Sequence, residues 1–479
     1  VGIYQYFGGT KLYAENHHHH SCMSNHQKIT IVGGGLVGSL CAIFLAKRNY
    51  DVHVFDRRRD MRKTGAERGR SINLALSHRG LRALEAAGIV AHIDQIGIPM
   101  RGRMIHHRDG STAFQPYGQE GEAIYSVSRG GLNALLLEAA DTHPHVHLHF
   151  EERCQDVNLA TATASFLNAE GVSHEVVADC LIGADGSYSA VRGVMQKRER
   201  FNYEQYYLEH GYKELTIPAA PDGAWALEKN ALHIWPRGRY MFIALPNTDG
   251  SFTCTLFLPF ESNRDDEPAF EDLQTNEAVI DFFRTSFPDA LPLMPDLCSD
   301  FFHNPTATLV TVRCSPWIHH DKIMLIGDAA HAIVPFYGQG MNAGFEDCRI
   351  FDELLTKHEN TWLGAMQEYN TLRKPNGDAI ARLAMQNFVE MSERVADPRF
   401  LLRKKIEQRC QALYPSAFVP VYSMVTFSHL PYSDALREME RQDALFDAVF
   451  QLNAIETRWD TSEGESEIRD LMRSAGYGV

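Results

Sequence analysis

The sequence predicts an α/β fold (α+β overall) in which a Rossmann-like nucleotide-binding domain carries an antiparallel β-sheet domain and a C-terminal helical region. Three observations carry that expectation. A glycine-rich turn, Gly33 to Gly38 (GGGLVG), lies between a short apolar strand and a helical pattern. Two later stretches, 179–192 and 322–347, each run from an apolar strand into a Gly-(x)-Asp turn. Residues 200–320 change to short strands punctuated by Pro, Gly and Asn, and beyond Phe351 the pattern is mostly helical.

The composition narrows the function classes. At 479 residues the chain is long enough for two or three domains and a large core. A formal charge of −15 excludes a general nucleic-acid binder, which needs a basic face for phosphate. The nine cysteines include no Cys-x-x-Cys pair, so reduced thiols in a cytoplasmic protein are expected, with no zinc site. No apolar run reaches the roughly 18 residues of a membrane span. The nearest, 444–455, is short and interrupted by Asp447, so a soluble protein is expected. Residues 1–22 contain four consecutive histidines, 17–20, and precede Met23. They lack a signal peptide's apolar centre and read as a purification-tag remnant outside the fold.

The first strand, 28–32, meets the glycine turn at once; a helix pattern follows through Lys47, and a second strand, 51–55, ends at Asp56. This is a dinucleotide βαβ pattern: Gly33 makes the turn, Gly35 admits a pyrophosphate, and Gly38 lets helix and strand pack. Asp56 stands where a carboxylate binds ribose hydroxyls, which disfavours a 2′-phosphate and leaves FAD or NAD. Arg57, Arg58, Arg59, Arg62, Lys63, Arg68 and Arg70 form a basic run. Most of it reads as a solvated loop; the sharper hypothesis is that some of these side chains receive the phosphates of a transient NADPH.

Residues 69–80 lead into a helix over 81–87, a new strand begins over 100–105, and Gln115, Pro116 and Tyr117 read as a loop. An amphipathic helical run covers 132–140. His145, His147 and His149 share one face of a strand, but no acid or cysteine stands at ligand spacing nearby in sequence, so no metal is expected. The stretch 179–192 ends a buried strand in Gly-Ala-Asp-Gly, with Ser187 and Ser189 as caps for a helix near Ala190. Asp185 is either a turn residue or part of a second nucleotide-facing loop, and its likeness to the later Gly-Asp turn favours the loop.

Short strands are expected over 212–217, 232–235, 239–245 and 252–260, with a hairpin connection at Pro236 to Gly238. Alternation places Met241, Ile243 and Leu245 on one face, and Phe257 with Thr253 and Thr255 on another strand's face. Such a face suits a flat hydrophobic substrate or plain core. A helical segment covers 270–287. The stretch 322–347 then reads as a strand over 323–326, a turn carrying Asp328, a loop with Pro335, and a helix from Gly340 or Met341. A helix start rich in glycine offers free N–H groups to an anion or an electron-rich ring edge, and Asp328 can accept hydrogen bonds from a polyol. A flavin dinucleotide has both features. Farther on, Ile380, Leu383, Asn387 and Met391 form one helical stripe within 373–394, where a buried amide needs a partner. Residues 415–428 read as an irregular, strand-like apolar run bearing Tyr422, and the acidic stretch 460–470 as solvated and partly disordered.

The three signatures in order (glycine βαβ, GADG loop, IGDAAH loop) resemble the single-component flavoprotein aromatic hydroxylases. There is no second GxGxxG unit for a resident nicotinamide domain, which fits an NADPH that visits and leaves. Finer motifs (GRSINLALSHRG, MRGRMIH, QPYG, HGYKELTIP, ALHIWPRG, FTCTLFLPF, VPFYGQGMNAGFEDC, VYSMVTFS) resemble the kynurenine 3-monooxygenase family across roughly residues 28–431. The resemblance implies bound FAD contacted by Val37, Phe55, Asp56, Arg57, Arg58, Ala75, Arg129, Cys154, Asp185, Asp328, Gly340, Met341 and Asn342. It implies that Arg103, Tyr117, Asn387 and Tyr422 hold the amino-acid end of L-kynurenine. Leu232, Ile243, Leu245, Phe257 and Met391 would line the aromatic pocket, with Pro335 and Phe336 bordering flavin and substrate. The implied reaction is NADPH-driven 3-hydroxylation by O2 through a flavin hydroperoxide, in tryptophan catabolism, with no side-chain nucleophile. Gly130 and Gly131 replace polar residues usual after Arg129, and Cys154 stands where the family often has leucine.

The implied organisation is an FAD-binding domain over 23–200 and 305–372, with some substrate-side segments near 100–125. An antiparallel-sheet substrate domain covers 201–304, a helical region over the active site 373–460, and an acidic tail 461–479. A monomer or homodimer is expected. Eukaryotic members of the family continue into a membrane-anchoring C-terminal helix that this sequence does not display. The alternatives are a flavin hydroxylase for another aromatic substrate, and a flavin-binding redox partner without turnover. Arg103, Tyr117 and Tyr422 separate the first, because a neutral substrate needs no carboxylate receptor. Substrate-stimulated NADPH oxidation separates the second.

Overall fold

The computed structural model describes residues 27–63, 73–262, 267–391 and 397–478. The 1–22 segment and Arg68 and Arg70 of the basic run therefore lie outside the described residues.

A six-stranded sheet is built from Lys28–Val32, Asp51–Asp56, Val146–Phe150, Cys180–Gly183, Ile323–Leu325 and Ile318–His319. All its pairings are parallel except the last hairpin. Near-continuous apolar strands such as Lys28–Val32 suit burial on both faces, and the helix Leu36–Ala46 covers one of them with a fully apolar run. Both Gly-(x)-Asp turns leave adjacent strands of this sheet, because Cys180–Gly183 pairs in parallel with Ile323–Leu325. The C-terminal strand edge thus collects the glycine turn and both aspartate loops, the usual ligand crevice of a parallel sheet.

The second sheet has seven strands, ordered Ala307–Ser315, Asn202–Ile217, Phe252–Pro259, Met241–Pro246, Ala231–Pro236, Gly102–His106 and Thr112–Pro116. It is mostly antiparallel, with one parallel pairing between Ala231–Pro236 and Gly102–His106. Strands from outside 201–304 therefore complete it on both edges. Two three-stranded sheets flank these two.

Several sequence expectations are corrected. Gln115 and Pro116 are not in a loop: Gln115 pairs with Arg103 and Pro116 with Gly102. The strand after residue 200 begins at Asn202, ten residues before the expected start, because its early, exposed face pairs with the distant Ala307–Ser315 strand. The helix expected from Leu81 begins at His78. The 415–428 run contains a helix, Val421–Phe427, behind Pro420. The acidic end is a capped helix, Ser462–Ser474, in which Thr461 accepts from Gly464 and Ile468 and Met472 are buried. Glu463, Glu467 and Asp470 share one face while Ile468, Met472 and Tyr477 join a core with Phe418 and Phe446. The helix Trp362–Val389 passes through position 372 without a break. No described helix is long and apolar enough to cross a membrane.

Candidate active site

One cavity of about 630 Å³ runs from the C-terminal edge of the parallel sheet to the inner face of the seven-stranded sheet. That is the size of a ligand site for a cofactor portion or a small substrate. Its nucleotide end begins at Gly33, whose φ of +105° and closeness to the Ala184 carbonyl (2.5 Å from a built Cβ) admit only glycine. Gly38 does not line the cavity; a Cβ there would lie 1.9 Å from the Gly33 oxygen, so it serves helix–strand packing. Asp56 Oδ2 accepts from the Gly34 N–H at 2.8 Å and from Arg58 at 2.7 Å. Burial opposes its ionisation, but these bonds outweigh that and hold its pKa below the usual carboxylate value.

The rest of the basic run is largely spent on local acids. Arg59 pairs with Glu151 at 3.0 Å, and Arg62 with Asp60 and Asp141 at 2.8 Å each. Arg57 lines the cavity and makes no hydrogen bond or ion pair with a described residue. Cys154 also lines it, and burial pushes its thiol up to about 12, so it acts as an apolar surface.

The two aspartate loops differ. Asp185 lines the cavity, yet its carboxylate caps the following helix, accepting from Ser189 Oγ at 2.5 Å and Ala190 N at 2.7 Å. Asp185 therefore acts as a helix cap at the cavity wall. Asp328 makes no hydrogen bond to a described residue. Asp328 is solvent-accessible and lines the cavity, while the protein packed around it raises its pKa, with Arg129 opposing. An acid that lines a cavity without a protein partner fits a polyol whose hydroxyls donate to it. FAD therefore fits this end: glycine cradle, free carboxylate, and the N-terminus of the helix Gly340–Lys357, where Gly340 and Met341 line the cavity. Asn342 turns away. Its Oδ1 accepts from Ser77 N at 2.9 Å, and its Nδ2 donates to the Ala75 and Gly338 carbonyls at 2.9 and 2.8 Å.

Behind the Asp328 turn lies a buried charge network that sequence reading missed. Asp347 accepts from the Gly327 N–H at 3.2 Å, His331 at 2.5 Å and Arg373 at 2.6 Å. Glu346 accepts from Arg373 at 2.8 Å and Arg79 at 2.9 Å. Burial opposes ionisation of both acids, but the cations hold their pKa values below normal. The network ties the Gly327–Asp328 turn to three helices.

The far end of the cavity is a charged pocket in an apolar wall. Arg103 is buried, held by the pairing of its strand with Leu232 on one side and Gln115 on the other. Its guanidinium lies over the rings of Tyr117 (5.6 Å) and Tyr422 (5.1 Å), which stack on each other at 5.3 Å. Burial raises both phenol pKa values, so both stay protonated as donors. Asn387 donates from Nδ2 to the Phe336 carbonyl at 2.7 Å, which fixes the Pro335–Tyr337 turn and leaves Oδ1 to meet a ligand. Leu232, Ile243, Leu245, Phe257, Pro335, Phe336 and Met391 line the wall, with Phe257 and Phe336 at 5.0 Å.

Some lining residues escaped the sequence reading. Tyr212 and Tyr337 left no signal, whereas Met241, which alternation places on the Ile243–Leu245 face, was not named among the pocket residues. Glu390 stands 3.9 Å from Arg103, one turn beyond Gln386 on the helix that carries Asn387, and reads in sequence as a surface acid.

Comparisons with known proteins agree with this geometry. The profile of the FAD binding domain family matches residues 26–384. Kynurenine 3-monooxygenase of Flavobacterium johnsoniae is 50% identical over 452 residues, covering 94% of this chain and 100% of the relative. That of Myxococcus xanthus is 46% identical, covering 93% and 94%. That of Sus scrofa is 46% identical, covering 86% and 87%. Among solved structures, 2-methyl-3-hydroxypyridine-5-carboxylic acid oxygenase shares the fold, with a TM-score of 0.64 at 19% identity over 78% of this chain and 94% of its own. Pseudomonas aeruginosa PqsL does so with a TM-score of 0.62 at 20% identity, covering 77% and 98%.

Proposed function

We infer the function from one premise: this chain belongs to the kynurenine 3-monooxygenase family, within the FAD binding domain family. It is an FAD-dependent monooxygenase that hydroxylates L-kynurenine at the expense of NADPH and O2. The observation that carries the substrate assignment is the buried Arg103 at the end of an apolar wall, opposite the free Asp328. A zwitterionic amino acid with an aromatic ring needs both a charged anchor and a dry wall. A neutral aromatic substrate would leave the Arg103 charge uncompensated beyond Glu390.

In this reading Asp328 accepts from the ribityl hydroxyls of FAD, the Gly33–Gly38 turn takes the pyrophosphate, and Asp56 with Phe55 borders the adenosine end. Ala75, Arg129 and Cys154 supply the remaining walls. Held by these residues, FAD would supply hydride acceptance from NADPH and activation of O2 for insertion into the aromatic ring. The chain's own residues bind, orient and exclude water. Arg103 forks onto the substrate carboxylate, Tyr117 and Tyr422 donate to it, and Asn387 Oδ1 and Glu390 meet the ammonium. Leu232, Ile243, Leu245, Phe257 and Met391 hold the ring flat against Pro335 and Phe336, and no side chain is required as nucleophile. Arg57 is the member of the basic run best placed for a visiting NADPH. A 201–304 substrate domain set against an FAD domain, a monomeric or dimeric state and a cytoplasmic location complete the proposal. The eight described cysteines, all free thiols, support a reducing compartment.

Asp328→Asn tests the cofactor end. Removing a charge with no protein partner should leave apoprotein stability nearly unchanged. Losing a charge-assisted bond of about 1.5–3 kcal/mol should weaken FAD roughly 10- to 150-fold. FAD titration followed by flavin fluorescence reads this, and unchanged affinity would remove Asp328 from the flavin site.

A further inference from the structure

On the edge of the parallel sheet, away from the cavity, strand register assembles a cluster that no sequence spacing announces. Val146–Phe150 pairs in parallel with Asp51–Asp56, His147 opposite His53 and His149 opposite Phe55. Side chains two apart on a strand share a face, so Asp51, His53, His147 and His149 converge on one side of this edge. Asp51 Oδ1 lies 3.2 Å from His147 Nε2, and Asp51 Oδ2 lies 3.4 Å from His53 Nε2. The three ligand atoms of Asp51, His53 and His147 all lie within 4.8 Å of one another. Metal–donor bonds of about 2.0–2.1 Å place tetrahedral ligands about 3.3–3.4 Å apart, a spacing that each Asp51 carboxylate oxygen already keeps to one of the two imidazoles. The expectation that these histidines lack an acidic partner is thereby overturned: the acid comes from the neighbouring strand.

We propose that Asp51, His53 and His147 form a surface site for a divalent transition cation of the Zn²⁺, Co²⁺ or Ni²⁺ class, which clips the edge strand to its neighbour. Two imidazoles and a carboxylate suit that class, whereas Mg²⁺ and Ca²⁺ favour oxygen donors alone. The second ring nitrogen of His53 is 3.1 Å from His149 Nε2. A His53 Nδ1–H donated there leaves Nε2 unprotonated and turned toward Asp51, the arrangement in which an outer partner orients a ligating histidine. The Lys28 charge acts on His53 from nearby. Lys28 also repels a cation, and the Asp51 carboxylate offsets it. The remaining coordination positions face solvent, since His147 is exposed.

The test is metal-dependent melting of the FAD-loaded full chain, beside His147→Gln and Asp51→Asn. Histidines 17–20 bind metal equally in all three proteins and cancel in the comparison. Co²⁺ or Zn²⁺ at a hundredfold excess over Kd should raise the parent Tm by about 3–5 °C and leave both variants unmoved. The variants should keep the parent's metal-free Tm and flavin spectrum, because His147 is exposed. Equal shifts in parent and variants, or no shift in the parent, would overturn the site.

Discussion

Arg103→Ala is expected to raise the KM for L-kynurenine by roughly 10²- to 10³-fold while FAD stays bound. The guanidinium is buried and lies over the stacked Tyr117 and Tyr422 rings, so truncating it removes the planar fork beside both phenols. Truncating one partner of a buried charge pair costs about 2–5 kcal/mol, which sets that range. Arg103→Lys should recover only part of it, because an ammonium is a point charge without the planar fork. Tyr117→Phe and Tyr422→Phe keep the stacked rings and remove single donors, so each should cost far less. Steady-state kinetics with the flavin absorbance spectrum as a control separate these outcomes. A normal kynurenine KM in Arg103→Ala would refute the pocket assignment, whatever the fate of the flavin end.

Arg373→Met is expected to destabilise the protein by about 3–5 kcal/mol and to release FAD before global unfolding. Arg373 neutralises Asp347 and Glu346 together at 2.6 and 2.8 Å, with all three side chains buried. Without it Asp347 keeps only His331 and the Gly327 N–H, and Glu346 keeps only Arg79. Asp347 is the residue that fixes the turn before Asp328, so the damage should reach the cofactor end first. Urea titration followed both by flavin fluorescence and by circular dichroism gives the two midpoints. Coincident midpoints at the parent's value would show that the network carries neither stability nor the turn.

The parts legible in the sequence are those whose chemistry is local. The Gly33 turn and the Gly-Asp turn at Asp328 each follow from a strand meeting a glycine, Asp56 from the end of the second strand of the βαβ pattern, and all line one cavity. The parts that were not legible depend on partners far along the chain. Gln115 looks like loop because its pairing strand is the one carrying Arg103, and Asp51 meets His147 only through sheet register. Glu346, Asp347 and Arg373 have the composition of a solvated helix face, and only their convergence on Arg79 and His331 buries them. The 462–474 helix misled for the opposite reason: its acids dominate the composition while Ile468 and Met472 decide its packing.

The resemblance reached the pocket's anchoring side chains but left Glu390 unassigned. A zwitterion carries two charges, and a receptor built only of Arg103 and phenols would answer one of them. Glu390 stands 3.9 Å from Arg103 and Lys404 3.8 Å from Glu390, so an acid lies beside the carboxylate anchor, as an α-amino acid with two charges requires.

The most direct measurement is product analysis after the FAD-loaded protein is given NADPH, O2 and L-kynurenine. The account predicts 3-hydroxykynurenine formed in step with NADPH consumed, and NADPH oxidation that is slow until kynurenine is added. NADPH oxidation indifferent to kynurenine, with no hydroxylated product, would contradict it.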